Sequence, residues 1–228
     1  MLKEFYRKAL PNEGYYCVVY NNPGTKPYTH DYASSLEEVV ELIEKHKKEG
    51  RNVFVAMSTL NEKKREASNS IFAKSFYIDL DVGENKEYAS QKDALFDLSR
   101  FLETSKLPTP AIVNSGNGIH AYWFLKEQVS IDVWKPIAEK LKSYCVQENL
   151  KIDLAVTADT VRLLRCPDTN NYKQDPPRPT LVLRDTDEIN IKDIETILED
   201  IEVDAEGSSR TNTMSEEERK RKYGNYEN

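Results

Sequence analysis

The sequence predicts an α+β fold in which helices cover a mixed or antiparallel sheet. Three observations carry this. Apolar residues switch repeatedly between a period of 2 and a period of 3.6 from residue 15 to residue 201. Asn117-Gly118, a hairpin dipeptide, lies between two strand-like runs. Strand pairs and helical stretches are interleaved, with no internal repeat.

The elements follow in order. Residues 15–20, "YYCVVY", read as a strand, and "NNPGTKP" after them as a loop. Residues 34–48, "SSLEEVVELIEKHKK", form an amphipathic helix. Its Ser N-cap, early glutamates and late lysines match the helix dipole, and Gly50 ends it. Residues 52–58 are a second strand, and the polar stretch 59–70 is an exposed loop. Residues 71–82, "IFAKSFYIDLDV", are a third strand, placed centrally. A helix over 88–105 stops at "LPTP". Residues 111–125 are two strands joined by the Asn117-Gly118 turn. Residues 130–149 are helical, with Pro136 tolerated in the first turns. A strand at 180–184 and a helix at 190–201 close the pattern. Residues 1–202 are expected to form one domain, and 203–228 a charged tail or linker.

Composition narrows the class. No apolar run approaches the length of a membrane span, and the N-terminal residues lack the apolar core of a signal peptide. Cys17, Cys145 and Cys166 are far apart, which argues against a disulfide framework or a zinc knuckle and for a reducing, cytoplasmic setting. The formal charge is −7, but residues 186–228 hold 13 acids and 6 bases and so carry all of it. The remaining body is neutral, and local patches decide whether it meets nucleic acid.

Three stretches hold candidate chemistry. In "SFYIDLDV", strand parity puts Tyr77, Asp79 and Asp81 on one face, and Phe76, Ile78, Leu80 and Val82 on an apolar, buried face. Two adjacent carboxylates stay ionised only near strong positive charge, such as Mg²⁺ or Mn²⁺. Taken alone, the pair equally fits a solvated polar face. "VNSGNGIHAYW" supplies Ser115, Gly116, Asn117, Gly118 and His120, a turn whose glycines and imidazole suit phosphate oxygens; a plain hairpin with a structural histidine fits too. His30 and His46 are assigned to a loop and to a polar helix face. In "KIDLAVTADTVRLLRCPDTNNYK", Asp153 interrupts an apolar run, and Asp159 is read as the cap of a helical turn over 160–165. Arg162 and Arg165 would project from neighbouring faces of that turn, and Lys173 lies in a polar loop. Arginine forks suit phosphates, or surface ion pairs.

The order and spacing of these blocks are more specific than any one of them: about 40 residues separate the aspartate pair from His120, and 33 separate His120 from Asp153. The chain resembles the archaeo-eukaryotic primase superfamily. More narrowly it is similar to phage and mobile-element primase-polymerases, which carry "FxDLDxG", "SGxGxH" and "DxAVTxDxxRxLRxPxTxNYK" blocks in this order. The resemblance covers roughly residues 50–185. It implies a primase-polymerase catalytic core with an RRM-like sheet. Asp79, Asp81 and Asp153 (or Asp159 as the third acid) would hold two divalent ions, Mg²⁺ or Mn²⁺. Ser115, Asn117, Gly118 and His120 would meet the triphosphate of an incoming (d)NTP. Arg162, Arg165 and Lys173 would hold phosphates of nucleotide or template. A primer 3′-hydroxyl, on a single-stranded DNA template, would attack the α-phosphate and release pyrophosphate. A fused or separate helicase is the expected partner, and a bacterial or archaeal cell, through a phage or mobile element, the expected setting. Asn117 stands where an arginine is common in such turns. Two other classes fit the same acids or the same surface: a metal-dependent nuclease, and a non-catalytic module that binds single strands.

Overall fold

The computed structural model describes residues 2–203. The expected tail at 203–228 thus lies, apart from its first residue, outside the described residues. The body is α+β, as the periodicities predict, with the strands gathered into two main sheets and one short ribbon.

The larger sheet has the order β11-β6-β7-β5-β4, with β4 Ser58–Leu60, β5 Ser70–Leu80, β6 Ala111–Asn114, β7 Ile119–Ser130 and β11 Leu181–Arg184. Its strand pairs are antiparallel. The pairing of β5 with β7 is the spine, running from Ser75 opposite Phe124 to Leu80 opposite Ile119. The second sheet has the order β2-β1-β3-β8, with β1 Tyr16–Asn21, β2 Thr29–Ala33, β3 Asn52–Ala56 and β8 Leu163–Arg165, again antiparallel. A ribbon of β9 Asn170–Asn171 and β10 Arg178–Pro179 completes the set.

Helices cover both faces of β5 and β7. Helix α4 (Ile131–Gln147) lies against one face. Trp134 stacks on Phe76 with centroids 5.8 Å apart, and its indole N–H donates to the Ser75 carbonyl at 2.9 Å. Helix α3 (Gln91–Ser105) starts later than the expected 88 and is capped by Ser90, whose hydroxyl accepts from the Asp93 N–H. The opposite face was expected to be polar. Instead α1 (Leu2–Ala9) covers much of it: Phe5 meets the rings of Tyr122 and Phe124 edge-on, and the Ser75 hydroxyl donates to the Ala9 carbonyl. Tyr77 is as buried as Phe76: its ring lies 5.7 Å from that of Trp134, and its hydroxyl donates to the Asp159 carbonyl. This helix escapes a reading by periodicity because it has only eight residues and no capping signal.

Other expectations shift. The stretch 59–70 is not all exposed loop, since β4 occupies its start and Asn69 is buried. The last helix shrinks to α5, Ile191–Glu195. No helix spans 160–165: β8 takes Leu163–Arg165, so Arg162 and Arg165 are set by a strand and its approach. His46, expected on a polar face of α2 (Leu36–Lys48), is fully buried. Its ring stacks on Tyr20 at 3.7 Å, while its nitrogens meet Asp31 at 2.8 Å and Arg51 at 2.9 Å. The three cysteines are buried and unpaired. Among the described residues, no helix is long and apolar enough to cross a membrane.

One buried cation ties the N-terminal helix to the last segment. Lys74 on β5 donates to the Arg7 carbonyl at 2.9 Å and to Glu188 at 2.8 Å. Truncating it leaves both acceptors without that donor. Lys74→Ala should therefore lower stability by about 2–3 kcal/mol, at the low end for a buried pair because Glu188 keeps some solvent and Arg7. Thermal or urea denaturation checks this; an unchanged midpoint would contradict the role assigned to Lys74.

Candidate active site

The β5–β7 register places Asp79 directly opposite His120, on the face shared by Tyr77 and Tyr122. Asp153 arrives from a distant turn: its backbone N–H donates to the Asp79 carbonyl at 2.9 Å. The Asp153 carboxylate accepts from the Ala155 N–H at 3.0 Å and lies 3.7 Å from the Arg162 guanidinium. Asp81 sits just past the end of β5, in a 2.6 Å ion pair with Lys86. Three acids thus lie around one strand end, near enough for the charges of Asp81 and Asp153 to act on Asp79.

Their electrostatics agree with that crowding. The Asp79 carboxyl is pushed up to about 7, first by burial and then by the charges of Asp81 and Asp153; Arg162 and Lys86 offset this only in part. His120 is pushed down to about 3, again first by burial, then by Arg165 and Arg162. Its ring is therefore neutral near pH 7. One nitrogen, Nδ1, meets the Tyr122 hydroxyl at 3.1 Å, and Nε2 lies 3.8 Å from Asp79.

Asp159 plays another part. It caps no helix: its carboxylate accepts from the Val161 N–H, and its carbonyl accepts from the Tyr77 hydroxyl at 2.8 Å. Among the described residues, no three His, Cys, Asp or Glu groups already stand close enough to enclose a metal ion. The donor set nevertheless fits one. Carboxylate oxygens suit Mg²⁺ or Mn²⁺, and the Asp79 carboxyl is raised first by burial and then by two acids that Arg162 and Lys86 only partly offset, so a bound cation would favour its ionised form.

The glycine turn is built mainly by the protein's own packing. The Ser115 hydroxyl accepts from the Gly118 N–H at 3.2 Å, and the Asn171 amide donates to the Ser115 carbonyl at 2.9 Å. Gly116 has φ +92°, and a Cβ there would fall 2.5 Å from the Asn171 side chain. A Cβ on Gly118 would fall 2.6 Å from the Leu80 carbonyl oxygen. The glycines thus let the turn close onto the strand end that carries Asp81. Gln91, at the start of α3, holds the turn through Asn114 at 2.7 Å and the Asn117 carbonyl at 3.2 Å. The Asn117 side chain accepts from Arg178 at 3.4 Å.

Arg165 reaches the same region from the second sheet. It is buried, donates to Asn52 at 2.8 Å and lies over the Phe54 ring at 4.5 Å. Burial lowers its pKa to about 10. Lys173 is exposed in the loop between β9 and β10, and its backbone N–H donates to Asn171 at 3.1 Å. The site therefore draws Asp79, Asp81, Asp153, His120, Arg162 and Arg165 into electrostatic contact, sets Ser115, Asn117 and Gly118 in the adjoining turn, and leaves Lys173 on a rim loop. Lys86, Gln91, Tyr122, Asn171 and Arg178 were missed. The signal for Tyr122 was present, since it shares strand parity with His120.

Solved structures with this arrangement of elements exist. The AEP domain of the cyanophage S-2L primase-polymerase aligns with a TM-score of 0.59 at 13% identity, over 80% of this chain and 88% of that one. The fold is that of the AEP primase-polymerases. The catalytic domain of primase RepB′ in complex with initiator DNA aligns with a TM-score of 0.54 at 13% identity, over 87% of this chain and 90% of that one. A second RepB′ primase structure gives 0.56 at 12% identity, and there the alignment spans 61% of that chain. No family profile matches, and no curated protein sequence does. At these identities the likeness concerns the fold, and the chemistry must be argued from the residues.

The largely covered Asp79 has a measurable signature in this fold. A carboxyl whose pKa is raised on folding destabilises the metal-free protein as pH rises from its unfolded value, near 4, to its folded value, about 7. Above that the penalty is constant and of the order of a few kcal/mol. Asp79→Asn should therefore raise the melting temperature of the metal-free protein at pH 8 and change it little at pH 4. An equal shift at both pH values would contradict the assignment.

Proposed function

We propose that the chain is the catalytic domain of a DNA primase-polymerase, extending a 3′-hydroxyl on a single-stranded DNA template with (d)NTPs. The observation that carries this reading is the grouping of Asp79, Asp81 and Asp153 around the end of β5, electrostatically coupled, with His120 directly across the ladder from Asp79. The fold neighbours support nucleotidyl transfer as the reaction class.

Asp79, Asp81 and Asp153 would hold Mg²⁺ or Mn²⁺. Asp153 is preferred to Asp159 because its backbone is bonded to Asp79 and its charge acts on it. Such ions supply activation of the attacking hydroxyl and neutralisation of the leaving pyrophosphate. The neutral His120 ring can donate one hydrogen bond to a triphosphate oxygen while Tyr122 fixes its other nitrogen. Arg165 is a buried cation with no carboxylate partner among the described residues, and phosphate would supply the missing charge. Arg162 is shared between Asp153 and that phosphate region. The Ser115–Gly118 turn gives the triphosphate a rigid wall rather than a flexible cradle. Lys173, on the rim, would take a phosphate of nucleotide or template. A helicase acting beside this domain remains an expectation of the resemblance.

The test is template-directed extension of a labelled primer with Mg²⁺ or Mn²⁺. Asp79→Ala/Asp81→Ala should lose about 10³-fold or more of the rate. His120→Ala should raise the apparent KM for the nucleotide by about tenfold or more. Full activity in the double aspartate variant would refute the reading. Shortening of the DNA by the wild type without nucleotide would point instead to a nuclease.

A further inference from the structure

The second sheet carries a surface that the catalytic reading does not use. Strand parity divides its side chains. Tyr16, Val18 and Tyr20 of β1 face α2 and the main core, whereas Cys17 and Val19 face away. The register puts Tyr32 opposite Cys17, His30 opposite Val19, Phe54 opposite Val19 on the other side, and Arg165 opposite Phe54. These side chains therefore share the face that α2 does not cover.

The face has a small apolar centre, Cys17, Val19 and Ala56, roofed by half-buried rings rather than by a helix. Phe54 and Tyr32 form that roof, and Tyr28 stands edge-on to Phe54 at 5.8 Å, with 47% of its surface exposed. Cations border the rings. Arg165 lies over Phe54. Arg65 crosses above the sheet, its backbone N–H donating to the Tyr32 hydroxyl and its guanidinium to the Val161 carbonyl at 2.9 Å. Neither arginine has a carboxylate partner among the described residues. The acids beside Arg65 are engaged elsewhere, Glu62 by the Asn69 amide and Glu66 by Lys64.

We propose that this face of the β2-β1-β3-β8 sheet is a platform for single-stranded nucleic acid, on which a base stacks against Tyr28 while Arg65 takes a backbone phosphate. Rings with unpaired cations beside them match a polyanion whose bases are free to stack, which a duplex does not offer. The platform also adjoins the candidate active site: Arg165 lies over Phe54 and donates to Asn52, which also accepts from the Tyr172 N–H, next to the Asn171 that donates to the Ser115 carbonyl of the glycine turn. A strand lying on Tyr28 would so be led past Arg165 toward the carboxylates. The inference rests on the primase-polymerase reading for the strand's purpose, but not for its binding.

The experiment is fluorescence anisotropy of the full chain with labelled oligo(dT), without metal or nucleotide, over a salt series. Tyr28→Ala should weaken binding by about tenfold, the cost of one lost stack. Arg65→Gln should weaken binding and reduce the slope of log affinity against log salt by about 0.7, one phosphate contact on a single strand. A loss in either variant supports the platform. It is overturned if the wild type does not bind, if both variants keep wild-type affinity and slope, or if a duplex of the same length binds as tightly. Because none of these readouts needs nucleotidyl transfer, the platform can fail while transfer stands. Loss of extension in Asp79→Ala/Asp81→Ala with oligo(dT) binding intact would separate the two the other way.

Discussion

The placement of Asp79 on a strand buried on both faces is the constraint around which the molecule is arranged. A carboxylate there loses water, so its proton affinity climbs to about 7. Two further acids approach it, which makes the site harder still to keep ionised in a protein alone. Natural sequences keep such an arrangement when the charge is needed. Here the surrounding cations, Lys86 and Arg162, hold two of the three carboxylates and leave the central one undercompensated.

The neighbouring elements hold that strand end in place. Tyr122 sets the imidazole opposite Asp79, and the Asp79 carbonyl receives the Asp153 N–H. Gly118 allows the hairpin turn to rest against the Leu80 carbonyl, one residue from Asp81. Gln91 and Asn171 brace the same turn from α3 and from the β9 ribbon. Each brace comes from a segment far away in sequence, so the site is a product of packing as much as of its own residues. Helix α1 and Lys74 then lock the covered face of the sheet.

Two sheets meet at this point, and Arg165 joins them. It is rooted in the second sheet by Asn52 and Phe54, and its charge is felt by His120 on the first. A buried guanidinium without an acid is costly to maintain. The cost is understandable if an anionic ligand spans the junction, and it gives the aromatic face of the second sheet and the acidic end of the first a common boundary.

Much of this was legible in the sequence. The period-2 run around Asp79 identified its strand and which residues lie beside it, and Asn117-Gly118 identified the hairpin, because both signals depend on local backbone geometry alone. The Ser cap of α2 was readable for the same reason. Other features depended on contacts between distant segments. Nothing local to "LKEFYRKAL" says that it covers Tyr122 and Phe124, and His46 looks solvent-facing until Tyr20, Asp31 and Arg51 close around it. The stretch 160–165 has a helix-like opening at Asp159, yet pairing with β3 makes its second half, Leu163–Arg165, a strand. Apolar neighbours set Asp153 apart from Asp159 in the sequence, but it is the hydrogen bond to the Asp79 carbonyl that puts Asp153 beside that acid, while Asp159 shapes a turn. The sequence by itself determined which strands and turns exist and which residues carry charge, through periodicity and turn chemistry. Only the tertiary structure decided which charges meet and how deeply they lie, because burial and Coulomb interactions depend on distance in space and not along the chain.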